Sequence, residues 1–286
     1  MYWLPRQIKR QLKVDSEMKM MINRGIETDL MFNRIVGSVI QQGGYTVVRT
    51  PDSPDYYFGN LLVLNRVPQD GEREQLESDF AQFVGTPPHI KHRTFLWPVV
   101  GDEEPELNSF IGAGYEFNEN IVLIATPADL VWPAQENRTV TIRRYRDRDD
   151  WSNWTEMQVA DNSGKFPELE FLNYLAGKQA TYERMIADNR GDWWGAFIED
   201  KQVANLGLFF DGETARFQSV HTAPSHRNKG ICRTLVHRVA RHGFERAARL
   251  VMVADENYHA ARVYESLGFR RSERMASLCW WPKENQ

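Results

Sequence analysis

Cysteine is scarce in this 286-residue chain, which has only Cys232 and Cys279. Two thiols cannot build a disulfide framework or a four-cysteine zinc site, so a reducing cytoplasm is the expected setting. Long apolar runs are missing too, and no segment reads as a membrane-spanning helix. The first thirteen residues mix Arg and Lys with isolated apolar positions and lack the core of a signal peptide. There is no excess of positive charge. The net charge of -4 argues against a surface built to hold nucleic acid. Arg233, Arg238, Arg241, Arg246 and Arg249 read as a solvated helix face, and His226, His237 and His242 as solvated loop and helix positions. No spacing of His, Cys and Asp suggests a metal site.

Bulky apolar material is plentiful: fifteen Phe, ten Tyr and nine Trp are enough for a large core. The length favours two domains. In the first half, periodicity predicts a helix over 14–42, with Met31, Ile35, Val36 and Val39 at helical spacing and Gly43-Gly44 as its stop. Strands are predicted at 45–48 and 56–64 around a turn at 51–54, then a helix over 72–84 and a strand at 95–99. A short helix over 104–113 and a strand at 121–125 complete the half. Residues 126–138 carry Pro127 and Pro133 and read as a linker, which divides the chain into 1–135 and 136–286. The second half restarts with a strand at 139–145 and a helix opened by Asp149-Asp150, followed by a helix over 167–188. Strands at 193–198, 203–210 and 214–222 come next. Alternating strands and helices point to a mixed α/β sheet.

The informative segment is Val220-His221-Thr222-Ala223-Pro224-Ser225-His226-Arg227-Asn228-Lys229-Gly230-Ile231-Cys232. A strand ends near Pro224, a polar loop follows, and a helix with Ile231, Leu235 and Val239 on one face begins. Such a loop presents unpaired N–H groups and the positive end of the helix dipole, a natural seat for phosphate. Gly230 allows close approach to the backbone, and Arg227, Lys229 and Arg233 add positive charge. On these residues alone, a loop that merely turns the chain is an equally good reading. Downstream, a buried strand at 250–253 leads into Asn257-Tyr258-His259-Ala260-Ala261-Arg262-Val263-Tyr264-Glu265-Ser266-Leu267-Gly268-Phe269. Ala260, Val263, Tyr264 and Leu267 share a helical face that Gly268 closes. Without further context, Asn257 is as much an N-cap and Tyr264 a core aromatic.

Together these motifs resemble the GNAT acetyltransferase superfamily, with its Arg/Gln-x-x-Gly-x-Gly/Ala loop and its Asn-x-x-Ala-x-x-apolar-Tyr-x-x-x-Gly-Phe block. Cys232 departs from the last small position of the loop. The resemblance covers about 139–281 and implies an acyl-CoA N-acyltransferase fold. It implies acetyl-CoA as cosubstrate, with Val220, His221 and Thr222 along the pantetheine arm and acyl group. Arg227, Asn228, Lys229, Gly230, Ile231 and Cys232 would hold the pyrophosphate, and Asn257 would lie along the arm. Tyr264 matches the family's general acid. The acceptor is then a small-molecule or peptide amine that attacks the acyl group directly. Glu213, Gln218, Ser219 and His221 are open candidates for the base. A module that binds acyl-CoA without catalysis is the competing expectation.

The first half carries a fainter echo. Phe110-Ile111-Gly112-Ala113-Gly114-Tyr115 closes a helix on Gly plus an aromatic, as Leu267-Gly268-Phe269 does, but no Arg-x-x-Gly loop precedes it. A tandem chain with one active and one decayed copy is expected, the alternative being an unrelated domain that covers the acceptor pocket.

Overall fold

The computed structural model describes residues 23–102, 104–162, 167–255 and 260–282. In chain order, the first half contains α1 (Arg24–Val36), β1 (Ser38–Gln42), β2 (Tyr45–Arg49) and β3 (Leu61–Val63). It continues with α2 (Arg73–Phe83), β4 (Arg93–Val99), α3 (Asn108–Gly112) and β5 (Glu116–Ala125). The second half adds β6 (Thr141–Arg144) and α4 (Arg148–Asn162), then α5 (Glu168–Ala187), β7 (Gly191–Ile198), β8 (Lys201–Asp211) and β9 (Thr214–Thr222). It closes with α6 (Ile231–Gly243), β10 (Arg249–Asp255), α7 (Ala260–Glu265) and β11 (Arg270–Trp280).

All eleven strands form one sheet in the order β1-β2-β3-β4-β11-β5-β10-β9-β8-β7-β6. Apart from β6, this order reads the same from either end when β1 to β5 are matched with β7 to β11. The helices match as well: α1 with α5, α2 with α6, α3 with α7. Each half pairs its third and fourth strands in parallel, β3 with β4 and β9 with β10. Each half also takes a strand from the other. β11 inserts between β4 and β5, and β5 inserts between β10 and β11, all antiparallel. The centre of symmetry falls between the pairs Asn120–Met275 and Ile121–Arg274. Two copies of one fold thus share a sheet by reciprocal strand insertion. Among the described residues, β6 and α4 have no counterpart in the first half.

Strand alternation sends side chains to two helical layers. α6 and α7 cover one face through Ile231, Leu235, Val239, Tyr264 and Leu267, and α2 and α3 extend that layer with Leu76, Phe80 and Phe110. The opposite face is covered by α1, α4 and α5, with Leu30, Phe32, Trp154 and Tyr182 packed on the sheet.

Several predicted elements shift. The helix expected over 14–42 ends at Val36, and its first residues lie outside the described ones. Gly37 is extended, and the β-branched pair Val39-Ile40 pairs with Val48 and Val47 in a hairpin. The expected strand at 56–64 shortens to Leu61–Val63, because 57–59 form a 3₁₀ turn held by Asn60. Asn60 accepts from Thr50 N at 2.8 Å and donates to the carbonyl oxygens of Ser53 and Tyr56. The expected linker is fastened to the second half: Val131 N donates to Leu267 O, Asn137 N to Thr234 Oγ1, and Glu136 pairs with Arg238 at 2.7 Å.

Candidate functional site

β9 and β10 start side by side but pair only from Arg249–Thr214 to Val251–Arg216. Beyond Phe217, β9 runs on to Thr222 without β10, which leaves a wedge-shaped gap inside the sheet. Its cause is local. The register with β8 slips between Asn205–His221 and Gly207–Gln218, and Ser219 sits at φ 46, so β9 bulges and bends away. β3 and β4 open no such gap, because β3 ends after three residues and Leu64 N still donates to Leu96 O at 2.7 Å.

The bulge also sets which way side chains point. Phe217 and Val220 pack in the α6–α7 layer, and Thr222 stands beside Cys232. Gln218 and His221 turn to the opposite face, where Gln218 Nε2 donates to Tyr182 Oη on α5 at 3.2 Å. Arg216, 6% exposed, ends the paired stretch and fastens α1 there: it pairs with Asp29 at 2.9 Å and donates to Gly25 O and Thr28 Oγ1. Loss of Asp29 would leave the buried Arg216 charge without its carboxylate.

At the mouth of the gap, Asn228 (φ 60) and Gly230 (φ 73) both adopt left-handed conformations that aim the chain into α6. A side chain at Gly230 would find space, with only Gln135 O within 4 Å, at 3.6 Å, so the glycine serves backbone shape and access. The first turn of α6 has no acidic residue, while Arg227, Asn228 and Lys229 are exposed beside it. Ile231 is buried and anchors the helix; Cys232, half-buried, faces Thr222. Burial pushes the Cys232 thiol up to about 11, so it is neutral at physiological pH. Arg227 folds back, donating to Thr222 O at 3.1 Å and to Asp161 at 3.2 Å. The corresponding helix α2 is closed to anions by its own acids. Glu72 accepts from Gln69 N at 2.8 Å, and Asp70 accepts from Ser109 N at 2.6 Å.

The structure therefore brings Val220, His221, Thr222 and the whole run from Arg227 to Cys232 to one end of the gap. Tyr264, 4% exposed, packs through Phe269 toward Phe217 at the root of the gap, with ring centroids 6.5 and 5.9 Å apart. Asn257 lies outside the described residues. Of the base candidates, Glu213 is set apart: it occupies the turn at the closed end of β9, its carbonyl held by Ala248 N and Arg249 N. His221 stands 3.7 Å from Asp161 on α4, with both ring nitrogens buried and unbonded. Burial lowers its pKa, Asp161 working against that shift, so the ring is neutral at pH 7. His237, expected in solvent, is 2% exposed beneath Trp132 at 4.5 Å. The expected solvated arginine face is also in use, with Arg241 over Trp132 and Arg246 over Phe210.

Sequence reasoning missed the bulge, Asp161 and a lysine-centred cavity between α5 and the loop at 51–60. The signal for the last was Lys178, a cation among Tyr174, Leu175, Thr181, Tyr182 and Met185 on the apolar stripe of α5.

No helix among the described residues is long and apolar enough to cross a membrane, and no three His, Cys, Asp or Glu side chains there are grouped to hold a metal. No curated protein matches this sequence. Among solved structures, a functionally unknown conserved protein from Staphylococcus epidermidis superposes with TM-score 0.71 at 14% identity, over 87% of this chain and 96% of that one. A GCN5-related N-acetyltransferase from Kribbella flavida gives 0.57 at 16% identity, over 91% and 95%. A tandem GNAT protein from the clavulanic acid biosynthesis pathway gives 0.51 at 12%, over 90% and 88%. At these identities the likeness is one of fold. Residues 151–269 match the model of the Acetyltransferase (GNAT) family, and the chain has a tandem GNAT fold.

Proposed function

We propose that the chain transfers the acetyl group of acetyl-CoA to a primary amine, using the gap between β9 and β10 of its second half. The observation that carries this reading is the coincidence of the parted strands with a helix N-terminus free of acids and flanked by Arg227 and Lys229. Backbone N–H groups from Gly230 to Cys232 suit the pyrophosphate, and the unpaired edge of β9 at Val220 to Thr222 suits the amide-bearing arm. Asn257 belongs to the same proposed set.

Acetyl-CoA supplies the thioester. The amine nitrogen bonds to the carbonyl carbon, the carbon–sulfur bond breaks, one proton leaves nitrogen and one reaches sulfur. Tyr264 is assigned the second proton, since it brings a phenol, a proton donor, to the root of the gap. His221, neutral and on the face opposite α6, is assigned the first, directly or through water. Residues 136–286 are the working half and 1–135 the half that walls the acceptor side.

Calorimetry with acetyl-CoA tests the assignment. One site per chain is expected, and Gly230→Glu, which places a carboxylate where the pyrophosphate rests, abolishes binding while the protein stays folded. Unchanged affinity in that variant, or two equivalent sites per chain, contradicts the reading.

A further inference from the structure

Lys178 is 8% exposed and sits on the buried face of α5. Its Nζ donates to Tyr56 Oη at 3.2 Å and lies 4.7, 5.2 and 5.8 Å from the ring centroids of Tyr56, Tyr182 and Phe32. Burial works against its charge, but the ring faces of Tyr56, Tyr182 and Phe32 around it and the bond to the Tyr56 hydroxyl favour the ammonium. Burial also lifts the Tyr56 and Tyr174 phenols, so neither is an anion at neutral pH. Asp29, in the same wall, is already taken by Arg216. Among the described residues the ammonium therefore has no counter-ion.

That is an expensive arrangement for a protein interior, and here it faces open space. Lys178, Tyr56 and Tyr174 line both a cavity of about 260 Å³ and a neighbouring one of about 190 Å³. The smaller cavity reaches Gln218, on the stretch of β9 that borders the gap. Its wall also holds Asn33, 2% exposed, whose Nδ2 donates to Phe58 O at 3.2 Å while its Oδ1 has no partner. The bond to Phe58 fixes which way the amide points and leaves its oxygen in the wall as a buried acceptor without a partner. The tyrosine side of the wall comes from the loop at 51–60, tied down by Asn60 and Thr50 and thus pre-set in shape.

We infer that the acceptor is an amine bearing one carboxylate, in the simplest case a free amino acid, whose carboxylate pairs with Lys178 while its nitrogen lies toward Asn33 and Gln218. A single cation beside Asp29, Asp52 and Asp55 suits a monoanion better than a phosphate. This rests on the acyl-transfer reading for its chemistry but not for its binding.

Two measurements separate those parts. Thiol release from acetyl-CoA is followed with a set of free α-amino acids and with the same set as carboxamides. At least one free acid is expected to react, with a KM about 30-fold or more below that of its carboxamide, and Lys178→Met raises the acid's KM by a similar factor with kcat and acetyl-CoA affinity little changed. Equal use of acids and carboxamides by the wild-type chain overturns the inference without need of any variant. Calorimetry with the corresponding N-acetyl amino acids, the products, gives the second arm. Binding that depends on Lys178 in a chain that shows no turnover upholds the carboxylate site and removes the acyl-transfer reading. Absence of any carboxylate binding that Lys178→Met weakens removes the inference, whatever the turnover.

Discussion

The pair Tyr264 and Phe110 shows how the two halves differ at a single position. Both lie five residues before an aromatic that follows a left-handed glycine, Gly268 (φ 96) or Gly114 (φ 88). Both accept from that aromatic's N–H, Phe269 N to Tyr264 O at 3.2 Å and Tyr115 N to Phe110 O at 3.0 Å. The backbone frame is common, and the hydroxyl is present in the second half alone. If the ring merely filled space, Phe would serve in both. Tyr264→Phe is therefore expected to lower turnover about 10²-fold while leaving acetyl-CoA affinity and melting temperature nearly unchanged. Full turnover with lowered stability would sink the assignment. Gly268 is constrained more tightly than Gly114: a Cβ there would run into the Asp129 carbonyl of the connecting segment.

Among the elements, the loop at 51–60 is the clearest case of a structure hidden from periodicity. Its residues Tyr56, Tyr57 and Phe58 look like a strand because they are aromatic, yet they are arranged by side-chain bonds from Thr50 and Asn60. His92, 2% exposed and 4.5 Å from the Tyr57 ring, completes the set by bonding Asn60 O at 3.0 Å. Burial lowers its pKa from 6.5 to about 4. In that window the unfolded chain binds the proton and the folded chain does not, so stability falls as pH falls from 6.5 towards 4. The loss attributable to this ring is about 3 kcal/mol. Urea unfolding at pH 7 and pH 4.5 should show a smaller decline for His92→Gln, which keeps an N–H for Asn60 O, than for wild type. Parallel declines would mean that the ring titrates normally. The loop that leads into α6, by contrast, was legible in the sequence. Pro224, Arg227, Gly230 and the apolar face of α6 all act within a short stretch, where spacing carries the geometry. The bulge at Ser219 was not legible, since it depends on register with β8, and neither was Asp161, which reaches His221 from a distant helix.

For the whole molecule, the order of elements could be guessed from the repeat of a helix closing on Gly and an aromatic, but the exchange of β5 and β11 could not. Pairing between residues 146 to 187 apart leaves no local mark, since both strands alternate as any half-buried strand would. The exchange makes a mechanical prediction. A protease site inserted after Ala134, in the exposed part of the connecting segment, should yield fragments that co-elute in native buffer and separate only in denaturant. β5 lies between β10 and β11, and β11 between β4 and β5, so neither fragment can leave without breaking three ladders. Fragments that part in native buffer would show that the shared sheet is weaker than this pairing implies.

The same pairing fixes a timetable for synthesis. Arg93 of β4 waits for Trp280, and Ala125 of β5 for Leu250, so the first half leaves the ribosome with one edge of β4 and both edges of β5 unclosed. An exposed strand edge recruits other strands, including those of neighbouring nascent chains. The older half of the polypeptide cannot finish folding before the younger half is made, and duplication of the fold has here lengthened the interval in which a growing chain needs shelter.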